Sequence, residues 1–176
     1  MDNKNHYTTA HDLALITAAA MKNPAFVELA STYEHRISGI EYARMLQNKN
    51  QLLQTLDGCI GVKTGFTKKT GRCFVGAREI DGQKIVCVVL NCGDWFGEAA
   101  RLLKEAQATY ANKYLLTAEQ IFTATDGTQA VATETFRYPL TEAELAAVKV
   151  TIADDTVAIN FADNLLHQSH CTEIEV

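Results

Sequence analysis

No apolar run in the 176 residues approaches the roughly 20 that a helix needs to cross a bilayer. The opening Met1-Asp2-Asn3-Lys4-Asn5-His6 likewise has no apolar core of the kind an export signal carries. No transmembrane segment and no signal peptide are therefore expected in this chain. The 16 lysines and arginines form no cluster longer than Lys68-Lys69, and the formal net charge is -5, so a nucleic-acid partner is not expected. Cysteine occurs in an odd number, five (Cys59, Cys73, Cys87, Cys92 and Cys171), without a Cys-x-x-Cys spacing, which argues against a zinc site and against a complete disulfide framework. Cys73 and Cys87 fall in apolar strand runs, where a thiol serves as a small hydrophobe. His6, His11, His35, His167 and His170 show no metal spacing backed by carboxylates; neither a metal nor a cofactor is expected. Internal repeats and low-complexity linkers are lacking too. Serine is scarce, with only Ser31, Ser38 and Ser169.

What is present suffices for a folded core: 47% apolar residues over this length allow one domain or one and a half. Thr8 or Thr9 can cap a helix from about Ala10 to Lys22, with Asp12 in its first turn, where the helix dipole favours an anion. Leu13, Ile16, Thr17, Ala20 and Met21 fall along one side of it. Asn23-Pro24 ends that helix and starts a short second one to about Ser31. Signals between Thr32 and Asn50 are mixed, with His35 to Ser38 a candidate strand and Gly39 a turn; Gln51 to Leu56 reads as a helical turn or two before an Asp57-Gly58 turn. Three strands then form an antiparallel meander. The first carries Lys63-Thr64-Gly65. The second, Arg72 to Ile80, alternates Cys73, Val75 and Ala77 with Phe74, Gly76 and Arg78 as a half-buried strand does. The third, Gln83 to Asn91, returns after an Asp81-Gly82 hairpin. Asp94 to Tyr114 reads as one helix with a stripe of Phe96, Ala99, Leu103, Ala106, Tyr110 and Tyr114, and Trp95-Phe96 as its packing anchor.

Beyond Tyr114 the composition shifts to many threonines and short apolar runs. Ile121 to Thr125 and Gln129 to Phe136 flank Asp126-Gly127 as a hairpin, and Thr141-Glu142-Ala143-Glu144 fits a capping box opening a short helix to about Val148. Val148 to Ile152 and Thr156 to Phe161 flank Asp154-Asp155 as a further strand pair. The expected fold class is α+β: an antiparallel sheet flanked by helices over residues 1–114, followed by a small β-rich module over 115–176.

Chemistry concentrates in the stretch from Asp57 to Gly76. Lys63 offers a fixed positive charge, Thr64 a hydroxyl able to hydrogen-bond a carboxylate, and Gly65 a side-chain-free surface along which a peptide backbone can lie. Side chains alternate on a strand, so Lys63 and Gly65 share one face and Thr64 takes the other, unless the edge twists. Residue chemistry alone leaves two readings of Lys63: part of a carboxylate-binding wall, or a solvated lysine guarding an edge strand against aggregation. Arg72 divides in the same way between the site and the open surface.

Lys-Thr-Gly is one of three signature elements of the serine acyl enzymes that bind penicillins. Together with its flanks, with His6-Tyr7-Thr8-Thr9-Ala10-His11-Asp12-Leu13-Ala14 and Asn48-Lys49-Asn50-Gln51-Leu52-Leu53 upstream, and with Gly82 to Leu90 downstream, it gives a chain that resembles the D-alanyl-D-alanine carboxypeptidase family, the low-mass serine penicillin-binding proteins. The resemblance is strongest from about Asn5 to Tyr114. It implies part of a β-lactamase/transpeptidase-like domain, with Lys63, Thr64, Gly65 and Phe66 binding substrate and the Phe66 N–H forming half of an oxyanion hole. It also implies an extracytoplasmic, cell-envelope setting. For the parent enzyme the implied partners are peptidoglycan stem peptides ending in D-Ala-D-Ala, and β-lactams. The family's other two elements are missing here: the residues three after Ser31, Ser38 and Ser169 are Glu34, Glu41 and Thr172, not the lysine of Ser-x-x-Lys, and no Ser-x-Asn occurs. No catalytic residue is therefore assigned. The expectation is the C-terminal portion of a serine-type D-Ala-D-Ala carboxypeptidase, beginning after both missing elements and inactive alone; the alternative is a non-catalytic peptidoglycan-peptide binding or assembly module. The module after Tyr114 disfavours a β-lactamase. A sheet lacking its usual cover is expected to form a homodimer through exposed sheet edges.

Overall fold

The computed structural model describes residues 3, 5–39 and 42–174. Residues 1, 2 and 4 of the opening, 40 and 41 of the mixed-signal stretch, and 175 and 176 at the end of the β-rich module lie outside the described residues. The chain divides into two compact units, Met1–Gln107 and Ala108–Val176.

In the first unit, Thr9 and Asp12 form a reciprocal capping box that opens α1 (Ala10–Ala20): the Asp12 N–H donates to Thr9 Oγ1 at 3.0 Å and the Thr9 N–H to Asp12 Oδ2 at 3.3 Å. Asn23 Oδ1 then accepts the Ala25 N–H at 3.0 Å and Pro24 fills the first position of α2 (Pro24–Ser31). A two-stranded ribbon of β1 (Glu34–Ile37) and β2 (Arg44–Gln47) follows, then the short α3 (Leu52–Thr55). The meander is β3 (Cys59–Thr67), β4 (Gly71–Ile80) and β5 (Gln83–Val89), in the order β3-β4-β5. Asp94 caps α4 (Trp95–Thr109), its Oδ1 accepting the Gly97 N–H at 3.1 Å.

The central strand differs from its expected half-buried pattern. Phe74, Val75, Gly76 and Ala77 are all buried, because both faces of the sheet are covered. Phe74 packs with Leu52, Leu56, Val89, Ala99 and Leu103 from the α3 and α4 side, while Ala77 packs with Met21 and Ile60, flanked by Phe26 and Val27 of α2. Each fully buried large side chain here contributes on the order of 2 kcal/mol of transfer free energy. The expected inner face of α1 holds for Thr17 and Met21, but Ile16 is 63% exposed. The helix expected to run to Tyr114 stops at Thr109; Asn112–Leu116 is a strand, β6, and Tyr114 within it is exposed.

The second unit contains β6, β7 (Ile121–Thr123), β8 (Gln129–Ala132), β9 (Phe136–Pro139), α5 (Glu142–Leu145), β10 (Lys149–Ala153), β11 (Thr156–Phe161) and β12 (Asn164–Glu173). β6 pairs with β9, and the other strands form a sheet in the order β10-β11-β12-β8-β7. The Asp126-Gly127 hairpin and the Asp154-Asp155 pair stand as expected. So does the capping box on α5, where the Glu144 N–H donates to Thr141 Oγ1 at 3.2 Å. The strand expected from Gln129 to Phe136 is two: β8 ends at Ala132, and Phe136 opens β9. Leu116, Ala130, Ala132, Val157, Ile159 and Cys171 make this unit's core.

Candidate functional site

β3 is an outer strand. One edge bonds to β4, and the other faces no strand among the described residues. Its approach is fixed by Asn50, a side chain only 2% exposed, whose Oδ1 accepts the Leu52 N–H at 3.1 Å and whose amide reaches Cys59 Sγ at 4.0 Å. Asn50 thereby ties the start of α3 to the first residue of β3. The signal that could have found it is local: an asparagine whose side chain accepts the N–H two residues on forms the turn that leads into the helix. A bulge between Cys59 and Gly61 then turns the strand. Gly61 has φ +117°, and a Cβ added there would lie 2.5 Å from the carbonyl oxygen of Ala30, so only glycine lets α2 approach the strand this closely.

Past the bulge the register is regular: Lys63 faces Val75, Thr64 faces Phe74, Gly65 faces Cys73 and Phe66 faces Arg72. Cross-strand partners share a side of the sheet, so Lys63 and Gly65 lie on one face and Thr64 and Phe66 on the other. Lys63 is exposed, and its Nζ donates to the carbonyl of Thr64. Thr64 is half-buried, and Phe66 is 65% exposed. Gly65 differs in kind from Gly61. A Cβ there would come no nearer than 3.9 Å to the Cys73 carbonyl, which is ordinary contact, so internal packing does not require glycine at this position. The bare strip of backbone faces outward.

Arg72, across from Phe66 and so on the face away from Lys63 and Gly65, is held there: its Nη1 donates to the Gly93 carbonyl at 3.1 Å and its guanidinium lies 5.9 Å from the Trp95 ring centroid. Trp95 and Phe96 are packing groups, edge-on to Phe74 at 6.5 and 5.2 Å. The turn after β3 is closed by Thr67 Oγ1, which accepts the Thr70 N–H at 3.1 Å. The arrangement offers a cation on one face of an outer strand, a hydroxyl on the other and a free edge between them, which suits an extended peptide ending in a carboxylate.

Groups able to attack a carbonyl are not gathered here. Ser31 Oγ donates to the Glu28 carbonyl at 3.1 Å within α2, Ser38 follows β1, and Ser169 belongs to the second unit. All five cysteines are thiols. Burial raises the Cys59 thiol despite hydrogen bonds from the Gly61 backbone and the Asn50 amide, and pushes Cys87 up to about 11. Thiols held protonated are poor nucleophiles. Among the described residues no group of three or more His, Cys, Asp or Glu side chains is placed to hold a metal ion. No single described helix is long and apolar enough to cross a membrane.

The model of the D-alanyl-D-alanine carboxypeptidase family matches residues 1–93, more than half of the chain. The chain belongs to that family. D-alanyl-D-alanine carboxypeptidase DacB2 of Mycobacterium tuberculosis is 34% identical over 103 residues, covering 58% of this chain and 32% of the relative. DacF of Bacillus subtilis is 26% identical over 107 residues, covering 60% of this chain and 26% of the relative. The chain therefore spans about a third or less of the length of these curated relatives. Penicillin-binding protein 5 from Haemophilus influenzae shares the fold with a TM-score of 0.62 at 17% identity, over 99% of this chain and 58% of the other. A mutant of the Streptomyces K15 DD-transpeptidase superposes with a TM-score of 0.56 at 28% identity, over 58% of this chain and 43% of the other. The α+β fold class is that of the carboxypeptidase and transpeptidase structures.

Proposed function

We propose that this carboxypeptidase-family chain supplies the substrate-binding wall of a serine-type D-Ala-D-Ala carboxypeptidase acting on peptidoglycan stem peptides in the cell envelope. The observation that carries the reading is the free edge of β3: Lys63, Gly65 and Phe66 are exposed, and on the side away from β4 no strand pairs with β3 among the described residues. Lys63 draws the peptide's terminal carboxylate from one face, the Thr64 hydroxyl reaches it from the other across the free edge, Gly65 lets the peptide lie against the strand, and the Phe66 N–H serves the developing oxyanion. Acyl transfer also needs a nucleophile and a base, which the family draws from Ser-x-x-Lys and which the 176 residues do not contain. These residues by themselves accordingly bind and do not acylate. A fluorescent penicillin incubated with the chain leaves no covalently labelled band, whereas a D-Ala-D-Ala peptide binds reversibly and saturably. Lys63→Ala weakens that binding about tenfold, in line with loss of a charge-assisted hydrogen bond. A labelled band, or no peptide binding at millimolar concentration, contradicts the reading.

The same free edge, with the exposed apolar side chains of α1 and α2, supports a second proposal, that the chain self-associates into a homodimer. Residues 1–114 then serve as the transpeptidase-like part and 115–176 as an accessory β-rich module.

A further inference from the structure

The second unit carries an open concavity of about 510 Å³, within the usual range for small-molecule sites. Its floor is one face of β10 and β11. Val150, Ile152, Val157 and Ile159 turn into the core, which leaves Lys149, Thr151 and Asn160 on the other face. Lys149 stands directly across from Asn160 in the ladder. Half-buried Phe161 forms a wall, and Ala162-Asp163 the rim.

The side chains distinguish this hollow from a chance depression, on a backbone of ordinary hairpin geometry. The β11–β12 ladder is bulged opposite Ile159 and Asn160, where β12 carries the extra residue, Leu166. The two-residue turn that joins β11 to β12 holds Ala162 at φ 47° and Asp163 at φ 62°, the left-handed pair that so tight a hairpin requires, as Asp154 and Asp155 do in the hairpin before it. Among the described residues, the polar ends of Lys149, Asn160 and Asp163 have no hydrogen-bond or ion-pair partner within the fold.

We propose that this concavity binds a saccharide bearing a carboxylate. Main-chain groups of a paired sheet lie in the plane of the sheet, so recognition on its face must come from side chains. Phe161 offers an apolar surface for the C–H face of a pyranose, and Asn160, Thr151 and Asp163 offer both donors and acceptors for hydroxyl and acetamido groups. Lys149 pairs with the carboxylate. A phosphate fits less well, since a single lysine is set against the Asp163 carboxylate on the rim. The site goes beyond the substrate strand and does not depend on it, because the residues belong to the other unit.

The test is a titration of the ¹⁵N-labelled full chain with N-acetylmuramic acid and, separately, with N-acetylglucosamine, which lacks the carboxylate. Saturable amide shifts are expected at residues 149, 151 and 160–163, with the acidic sugar binding about two- to fivefold tighter. Phe161→Ala weakens both sugars by about fivefold. Lys149→Met, at an exposed position that leaves the fold intact, removes the preference for the acid. Lys63→Ala leaves all of these shifts unchanged, so failure of the peptide-binding reading and failure of this one are separable. No saturable shift at these residues with either sugar, or shifts indifferent to Phe161→Ala, overturns the site. Equal affinity for the two sugars in the unaltered chain overturns the assignment of the carboxylate.

Discussion

Gly61 and Gly65 stand four residues apart on one strand, yet they answer to different demands. At Gly61 the backbone is at φ +117° and a methyl group would strike the Ala30 carbonyl at 2.5 Å, so Gly61→Ala should cost about 2–3 kcal/mol, read from urea unfolding. At Gly65 a methyl group meets only the Cys73 carbonyl at 3.9 Å, so Gly65→Ala should leave stability within about 0.5 kcal/mol. The same methyl group lies where the peptide would run. Gly65→Ala is therefore expected to reduce D-Ala-D-Ala peptide binding while leaving the urea midpoint in place; an equal loss of stability at both glycines contradicts the division. Cys87 gives a third residue-level expectation. Burial raises its thiol from an ordinary value of 9.0 to about 11, so the unfolded chain releases this proton first. The stabilisation from keeping the thiol neutral is fully present below pH 9 and is lost as the pH rises through 11, on the order of 1–2 kcal/mol after allowing for partial exposure. Cys87→Ala should flatten that fall in a series of urea midpoints between pH 8 and 11.

Asn50 shows how an element can hang on one side chain. α3 is a four-residue helix, too short to persist on its own propensity, and the Asn50 side chain, which accepts the Leu52 N–H and reaches Cys59, joins it to β3. Asn50→Ala removes the acceptor for the Leu52 N–H in a buried site, and should lower stability by about 1–2 kcal/mol. Asn50→Asp keeps that acceptor but buries a charge, so a smaller loss is expected for it at pH 4 than at pH 7. Local signals of this kind made much of the fold legible in the sequence. The Thr9 and Asn23 caps and the Asp-Gly and Asp-Asp turns act over a few residues, and each left its pattern. What escaped was decided by distant partners. Tyr110 and Tyr114 prolong the stripe of α4 at helical spacing, but residues 112–116 pair instead with β9, 20 or more positions onward. β12, with its polar run through His167, Gln168 and Ser169, owes its strand to β11 and β8 on either side. The burial of β4 on both faces depends on helices that alternation within the strand cannot report. At the candidate site the Lys63-to-Phe66 stretch could be read from residue types, whereas its position on a free edge, and the open space at Gly65, depend on the sheet order and on α2.

Across the whole molecule the unresolved demand is apolar surface. α1 is apolar nearly all round, a composition that normally belongs to a helix enclosed on every side, yet it buries Thr17 and leaves Ile16 at 63% exposure; Leu29 on α2 is 76% exposed. Covering each of these side chains is worth about 1.5–3 kcal/mol at most, and a symmetric pair of chains would cover every such residue twice. A net charge of -5 over 176 residues is too small to hold copies apart at physiological ionic strength. Light scattering should therefore find a concentration-dependent dimer in the range of tens to hundreds of micromolar. Placing lysine at both Ile16 and Leu29 should shift the midpoint of that association upward at least about tenfold, because each substitution strands a charge in the contact. The free edge of β3 offers the other route to a dimer, and the double variant discriminates: association through strand pairing alone would survive it and would instead be competed away by the D-Ala-D-Ala peptide that uses the same edge. A monomer at every concentration removes both routes.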